Sequence, residues 1–269
     1  MMDLEQHLDR GIDEGAFSTV EKVADLEQAA PASSTALEPP IVFPIFNRRW
    51  PARIVRRFAL PYFLLPLTRV FAHIHVTGRE NLDAIQGPVI FASNHVSLLD
   101  VPVILASLPN RFRFRLATAM AKEIFDVHFF PNGHTLLERF GNTLNYRLAT
   151  FVFNAFPLPQ HQAGTRQAIR YVGEMAEQGW SILIFPEGDR TRSGALLPFR
   201  PGIGMIGSHL SIPVVPLRTI GLDKVLHRDW KFPSPGRVEV RIGKPILLSG
   251  DRFSEQARKV ETAIAALAI

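Results

Sequence analysis

No cysteine occurs among the 269 residues. Disulfides, thiolate metal ligands and thiol nucleophiles are thereby excluded, and with them covalent catalysis through sulfur. Long apolar runs are missing too. The most hydrophobic stretch, Phe58 to Leu67, is only ten residues and is broken by Pro61 and Pro66, where a bilayer span needs about 20. None of the nine histidines falls in a His-Glu-x-x-His spacing, so no metal site is expected. There is no Gly-x-Ser-x-Gly elbow of the kind a serine hydrolase uses. Zinc-finger spacing and RNA-recognition signatures are absent, and nucleic acid is not expected as a partner. The first residues are acidic rather than basic and apolar, so no secretory signal is expected.

Charge is present but unevenly placed. Residues 1–40 hold nine carboxylates against Arg10 and Lys22, a net of −7, which leaves about +12 for residues 41–269 of a chain whose total is +5. A globular part this basic suits anionic lipid surfaces or acidic substrates. Arg48, Arg49, Arg53, Arg56 and Arg57 precede the Phe58–Leu67 stretch and mix with Trp50, Phe58, Tyr62 and Phe63. That mixture fits a segment lying in one leaflet. The alternative is a packed helix pair with a solvated basic face, and the arginine–aromatic mixture favours the membrane reading. The expected division is an acidic helical extension and linker over 1–40, a basic and apolar membrane-interface segment over 41–75, and a catalytic domain over 76–269. With no spanning helix, the expected location is monotopic, on the cytoplasmic face of a membrane.

Beyond that segment the pattern alternates. Val89–Ser93, Arg113–Ala119, Thr150–Phe156, Ser181–Phe185, Pro213–Arg218 and Arg237–Ile242 read as strands. Leu98–Ser107, 134–149, Gly164–Gln178 and Glu255–Leu267 read as helices. Strands alternating with helices predict an α/β fold with a mixed, largely parallel sheet flanked by helices, preceded by the N-terminal interfacial segment.

Two loops follow predicted buried strands. The first is Ser93-Asn94-His95-Val96-Ser97-Leu98-Leu99-Asp100. Five residues along a regular helix turn a side chain through roughly 500°, so His95 and Asp100 would point apart there. At a strand-to-helix turn the same spacing brings them together. A carboxylate that orients an imidazole equips it as a general base toward a hydroxyl. The alternative is a hydrogen-bonded core histidine beside an aspartate that merely suits a helix N-terminus. The second loop, Pro186-Glu187-Gly188-Asp189-Arg190-Thr191-Arg192, leaves the Ser181–Phe185 strand, and ligands of open α/β sheets bind beyond such strand ends. Read alone, it is better taken as a solvated charged turn.

Together these blocks resemble the glycerolipid acyltransferase family, which includes the lysophosphatidate acyltransferases. Asn94-His95-Val96-Ser97-Leu98-Leu99-Asp100 is similar to the family's Asn-His-x-Ser-x-x-Asp. Phe185-Pro186-Glu187-Gly188, with Arg190, resembles its Phe-Pro-Glu-Gly-Thr-Arg, and Ile212-Pro213-Val214-Val215-Pro216 its last block. The resemblance covers roughly Val76 to Leu247. It implies a phospholipid-biosynthetic transferase in which His95 is the general base and Asp100 its orienting partner. Asn94, Ser97, Glu187, Gly188, Arg190 and Arg192 would bind substrate, with the arginines taking its anionic group. Backbone amides after His95 or around Gly188 would stabilise the oxyanion. The donor would be an acyl thioester of coenzyme A or an acyl carrier protein, the acceptor a lysophospholipid, and no bound cofactor is implied. Two positions depart from the family pattern. Asp189 stands where the family has threonine, and Gln160 where an arginine for the acceptor phosphate is expected; Arg166 is a candidate substitute.

Residues 4–27 also resemble the last helices of an acyl carrier domain, without its phosphopantetheine-bearing serine. They imply a possible upstream carrier or acyl-activating domain, or equally a plain acidic extension. Two other functions fit the same residues: a non-catalytic lipid-binding scaffold, and a hydrolase that activates water against a thioester.

Overall fold

Four strands supply the centre of the sheet, and their sequences show why. β2 (Ile90–Ser93) and β5 (Ser181–Ile184) are buried at every position. β3 (Leu116–Ala121) and β6 (Val214–Ile220) are buried over most of their lengths. Strands covered on both faces carry continuous apolar runs rather than alternation. A computed structural model describes residues 43–121, 126–129, 132–159, 165–191 and 194–268. The acidic extension expected over 1–40 lies outside the described residues, as do Gln160 and Arg192.

With β1 (Ala72–Thr77), β4 (Ala155–Leu158) and β7 (Gly236–Ile242), the sheet has seven strands in the order β1-β7-β6-β2-β5-β3-β4. Every pairing is parallel except β6 with β7. The expected mixed, largely parallel α/β sheet is therefore the observed one. β7 alternates, sending Val238, Val240 and Ile242 inward.

Helices cover both faces. On one lie α1 (Trp50–Ala59), a π-helical turn over Leu60–Leu64, α2 (Leu65–Phe71) and α3 (Asp100–Ser107). Leu60, Leu65, Ile104 and Leu105 pack there with Phe91 and Leu183 of the sheet. A short α4 (Asn110–Arg113) follows, and the Arg113 side chain donates to the carbonyls of Leu105, Ala106 and Leu108 at the end of α3. α5 (Asp126–Phe129) and α6 (Leu136–Phe153) connect β3 to β4. On the opposite face α7 (Thr165–Glu177), α8 (Gly202–Leu210) and α9 (Phe253–Ala266) bury Val172, Met175, Ile203, Ile206, Val260 and Ile264. A Cβ on Gly204 would lie 2.1 Å from the Phe253 carbonyl oxygen, so only glycine lets α8 and α9 approach this closely.

Several boundaries differ from expectation. Arg113 is helical and the strand starts at Leu116, because its guanidinium is drawn to the α3 carbonyls. The strand expected over Thr150–Phe156 is helical as far as Phe153, where Asn154 in a left-handed conformation (φ 53°) stops α6. β1 begins inside the expected 41–75 segment, and α8 answers to no expected element. Among the described residues no helix is long and apolar enough to cross a membrane.

Candidate active site

The end of β2 turns into α3 through Asn94–Leu99, and this turn joins the two residues that a helix would have separated. His95 Nδ1 donates to Asp100 Oδ2 at 2.8 Å. The same oxygen accepts the Val96 and Ser97 amides, each at 2.8 Å. The Thr219 hydroxyl on β6 donates to Oδ1 at 3.1 Å. Asp100 is 0% exposed, yet four donors converge on it, so neither oxygen is buried without a partner. A carboxylate oxygen only accepts, so Nδ1 is the ring nitrogen that donates and Nε2 keeps the free lone pair. The His95 ring stacks on Phe185, centroids 4.2 Å apart, at the end of β5. Its side chain is 23% exposed, so one edge remains reachable.

Asn94 and Ser97, expected to touch substrate, are buried and otherwise engaged. Asn94 donates to the Thr219 carbonyl and accepts the Thr219 amide, continuing the β2–β6 ladder through a side chain. Ser97 Oγ donates to the Leu226 carbonyl and accepts the Leu99 amide. Asn94 thereby pins the turn to β6, and Ser97 pins it to the chain after β6.

Glu187 is equally committed. Its Oε1 accepts the His95 amide at 2.8 Å, and its Oε2 the Leu197 amide at 2.9 Å. Burial pushes its carboxyl above the ordinary glutamate value; the two amides and His95 pull it down, and the Asp100 charge raises it. The residue thus latches the second loop to the turn that carries His95, and the Thr191 amide, donating to the His95 carbonyl, closes the same junction. Glu187→Gln is expected to lower stability by about 1–3 kcal/mol, because one amide donor would face an NH2 group. Thermal or urea unfolding measures this, and an unchanged midpoint would remove the latch.

Gly188 has φ +75°, and a Cβ there would lie 2.4 Å from Arg200 Nε. Glycine here lets the Arg200 guanidinium lie against the loop backbone. Several of the amides expected to serve an oxyanion are engaged within the fold. The amides after His95 serve Asp100, and the Gly188 amide donates to the Phe185 carbonyl.

Asp189 meets a cation that the sequence did not reveal. Arg228, in the β6–β7 connection, donates to Asp189 Oδ2 at 3.1 Å and to the Arg190 carbonyl at 2.7 Å. Partial burial acts to raise the Asp189 carboxyl, but the Arg190 amide and Arg228 outweigh it and hold the group below its usual value. The extra negative charge in this loop is therefore paired. Only a loop charge opposite an unmatched arginine could have signalled Arg228 in advance.

The chain matches the family model described as Acyltransferase over residues 73–220. Among its relatives, the chloroplastic 1-acyl-sn-glycerol-3-phosphate acyltransferase BAT2 of Brassica napus is 28% identical, covering 70% of this chain and 49% of its own length. The 1-acyl-sn-glycerol-3-phosphate acyltransferase alpha of Mus musculus is 27% identical, with shares of 66% and 56%. The chain spans about half the length of the relatives it matches. Among solved structures, the 1-acyl-sn-glycerophosphate acyltransferase PlsC of Thermotoga maritima shares the fold, with a TM-score of 0.53 at 20% identity, over 80% of this chain and 82% of that one.

Proposed function

This chain belongs to the acyltransferase family, and from that premise we propose that it moves a fatty acyl group from a thioester to the free hydroxyl of 1-acylglycerol-3-phosphate. The observation that carries the reading is the His95–Asp100 pair, with its carboxylate buried, fully donated to and aimed at Nδ1. Nε2 of His95 takes the acceptor hydroxyl's proton as its oxygen bonds to the thioester carbon. The resulting imidazolium faces the Asp100 charge. Collapse of the tetrahedral adduct breaks the carbon–sulfur bond, and Nε2 returns the proton to the leaving thiolate. No acyl-enzyme forms. The donor is an acyl thioester of coenzyme A or of an acyl carrier protein, and no bound cofactor takes part.

The acceptor's phosphate is read by arginine. Arg190 lies in the loop after β5 and Arg228 packs beside it, with Asp189 neutralising part of Arg228. Arg192 is a further candidate on the same loop. A planar guanidinium suits a phosphomonoester because two parallel N–H groups match two oxygens. The reading also places the enzyme on a membrane surface through residues 43–71, which hold six arginines and no carboxylate. In support, this segment leaves Trp50, Ile54, Phe58, Tyr62, Phe63 and Leu67 exposed.

An acceptor screen tests the proposal. Purified protein receives labelled palmitoyl-CoA or palmitoyl-carrier protein with lysophosphatidate, lysophosphatidylethanolamine, lysophosphatidylglycerol or no lipid. The expected result is phosphatidate as the main product, with slow thioester loss when lipid is omitted. Free fatty acid formed equally fast with and without acceptor would make the protein a hydrolase. No turnover of any donor would leave a lipid-binding scaffold.

A further inference from the structure

α6 is amphipathic in the opposite sense to an ordinary surface helix. At about 100° per residue, Leu136, Phe140, Leu144, Leu148 and Leu137 fall within roughly 120° of arc, and all are exposed, from 44% at Leu144 to 80% at Leu136 and Leu137. The side turned toward the body, roughly 150° away, carries Asn142, Tyr146 and Thr150. A helix in water buries its apolar stripe; this one points it outward.

A neighbouring helix is built the same way. α1 shows the same inversion, with Trp50, Ile54 and Phe58 outward and Ala52 and Arg56 inward. The two helices are joined by a buried cation. Arg56 Nη1 donates to the Phe151 carbonyl in the last turn of α6 at 2.9 Å, and Nη2 donates to the Asn47 carbonyl. Burial, then the neighbouring Arg53, pulls the Arg56 guanidinium down to about 10, so it stays charged at neutral pH. A cation at a helix C-terminus is favourably placed against the dipole. The N-terminal segment is also fixed to the body, since Tyr171 of α7 stacks on Phe43 and its hydroxyl donates to the Pro44 carbonyl.

We propose that α6 is a second membrane-docking element, and that its outward face and that of α1 enter the same anionic leaflet as one surface. Charge selects this occupant. Arg49 just before α1 and Arg53, Arg57, Arg139 and Arg147 on the two helices are exposed, against Glu138, whose carboxylate closes the N-terminal capping box of α6 with Thr135. Basic groups beside an apolar face match a lipid surface of negative charge. Topology adds a reason for the arrangement. α6 is about 27 Å long against about 13 Å for β4, and every residue from 132 to 140 is exposed. Its first turns therefore overshoot the sheet at the carboxyl ends of the strands, where His95 lies. Lipid held by α6 reaches the site without crossing the body of the protein.

This inference rests on the membrane reading of 43–71, and separate probes distinguish the two. The cysteine-free chain accepts a polarity-sensitive dye at one position at a time: Leu144→Cys on α6, Ile54→Cys on α1, and Arg170→Cys on the exposed outer side of α7. Each is mixed with phosphatidylglycerol–phosphatidylcholine vesicles carrying brominated chains. The expected result is a blue shift and bromine quenching at Leu144 and Ile54, none at Arg170, and at least tenfold weaker vesicle binding for Phe140→Ser/Leu144→Ser at an unchanged thermal midpoint. Quenching at Ile54 with Leu144 left in water overturns the role of α6 and spares that of 43–71. Quenching at neither overturns both. A Leu144 shift without vesicles, rising with protein concentration, overturns the proposal in favour of a second copy. A shift with palmitoyl-CoA alone overturns it in favour of an acyl-chain groove.

Discussion

Replacing His95 by alanine is expected to lower the rate of acyl transfer by about 10²–10⁴-fold, the range a positioned general base contributes, while the fold persists. The fold survives because Asp100 loses only one of its four donors. The Val96 and Ser97 amides and the Thr219 hydroxyl continue to hold the carboxylate, so no buried charge is left unsolvated. The His95 backbone amide, which anchors Glu187, is untouched by the side-chain change. Transfer of labelled palmitate to lysophosphatidate measures the loss, and circular dichroism with a thermal scan reports the fold. A folded variant within tenfold of the parent rate would refute His95 as the base.

Asp100→Asn is expected to produce a loss of comparable size, on the order of 10²–10⁴-fold in kcat, with the acceptor KM nearly unchanged. The amide oxygen takes the place of Oδ2 and keeps the His95, Val96 and Ser97 donors. The new NH2 group then faces Thr219 Oγ1, a hydroxyl free to accept from it while donating to Asn94 Oδ1. Shape and hydrogen bonds are retained; what disappears is the negative charge that stabilises an imidazolium. Since Asp100 is fully buried behind His95, the effect is expected on kcat. A tenfold rise in KM at constant kcat would instead mean that the residue shapes the acceptor site. Asp100→Ala is the poorer experiment, because it strands two amides and the imidazole N–H.

The sequence disclosed the His95–Asp100 contact because a strand followed by a helix leaves few ways to place residues five apart. It disclosed the sheet because β2, β5 and β6 are short apolar runs between turn residues. The directions taken by Asn94 and Ser97 were not legible. Their partners, Thr219 and Leu226, lie 125 and 129 residues away, and no local pattern announces such a pairing. Arg228 was hidden for the same reason. Thr150-Phe151-Val152-Phe153 has the β-branched and aromatic character of a strand, yet the preceding turns of α6 carry it on as helix until Asn154. β1 was absorbed into the basic, apolar segment before it, although Ala72–Thr77 alternates in burial as a strand does.

That edge strand has a consequence for how the molecule comes into being. Its sheet partner is β7, in parallel register from Ala72 opposite Gly236 to Thr77 opposite Arg241. A ribosome adding about 5–20 residues per second takes roughly 10–30 s to travel from one to the other. Through that interval the outward-facing helices before β1 have emerged, but the strand that fastens them to the sheet does not yet exist. Closure of so distant a pair is also the slow kind of folding event, since the chain loses entropy before the contact returns anything. The helices therefore become available to a lipid surface well before the catalytic body can be complete.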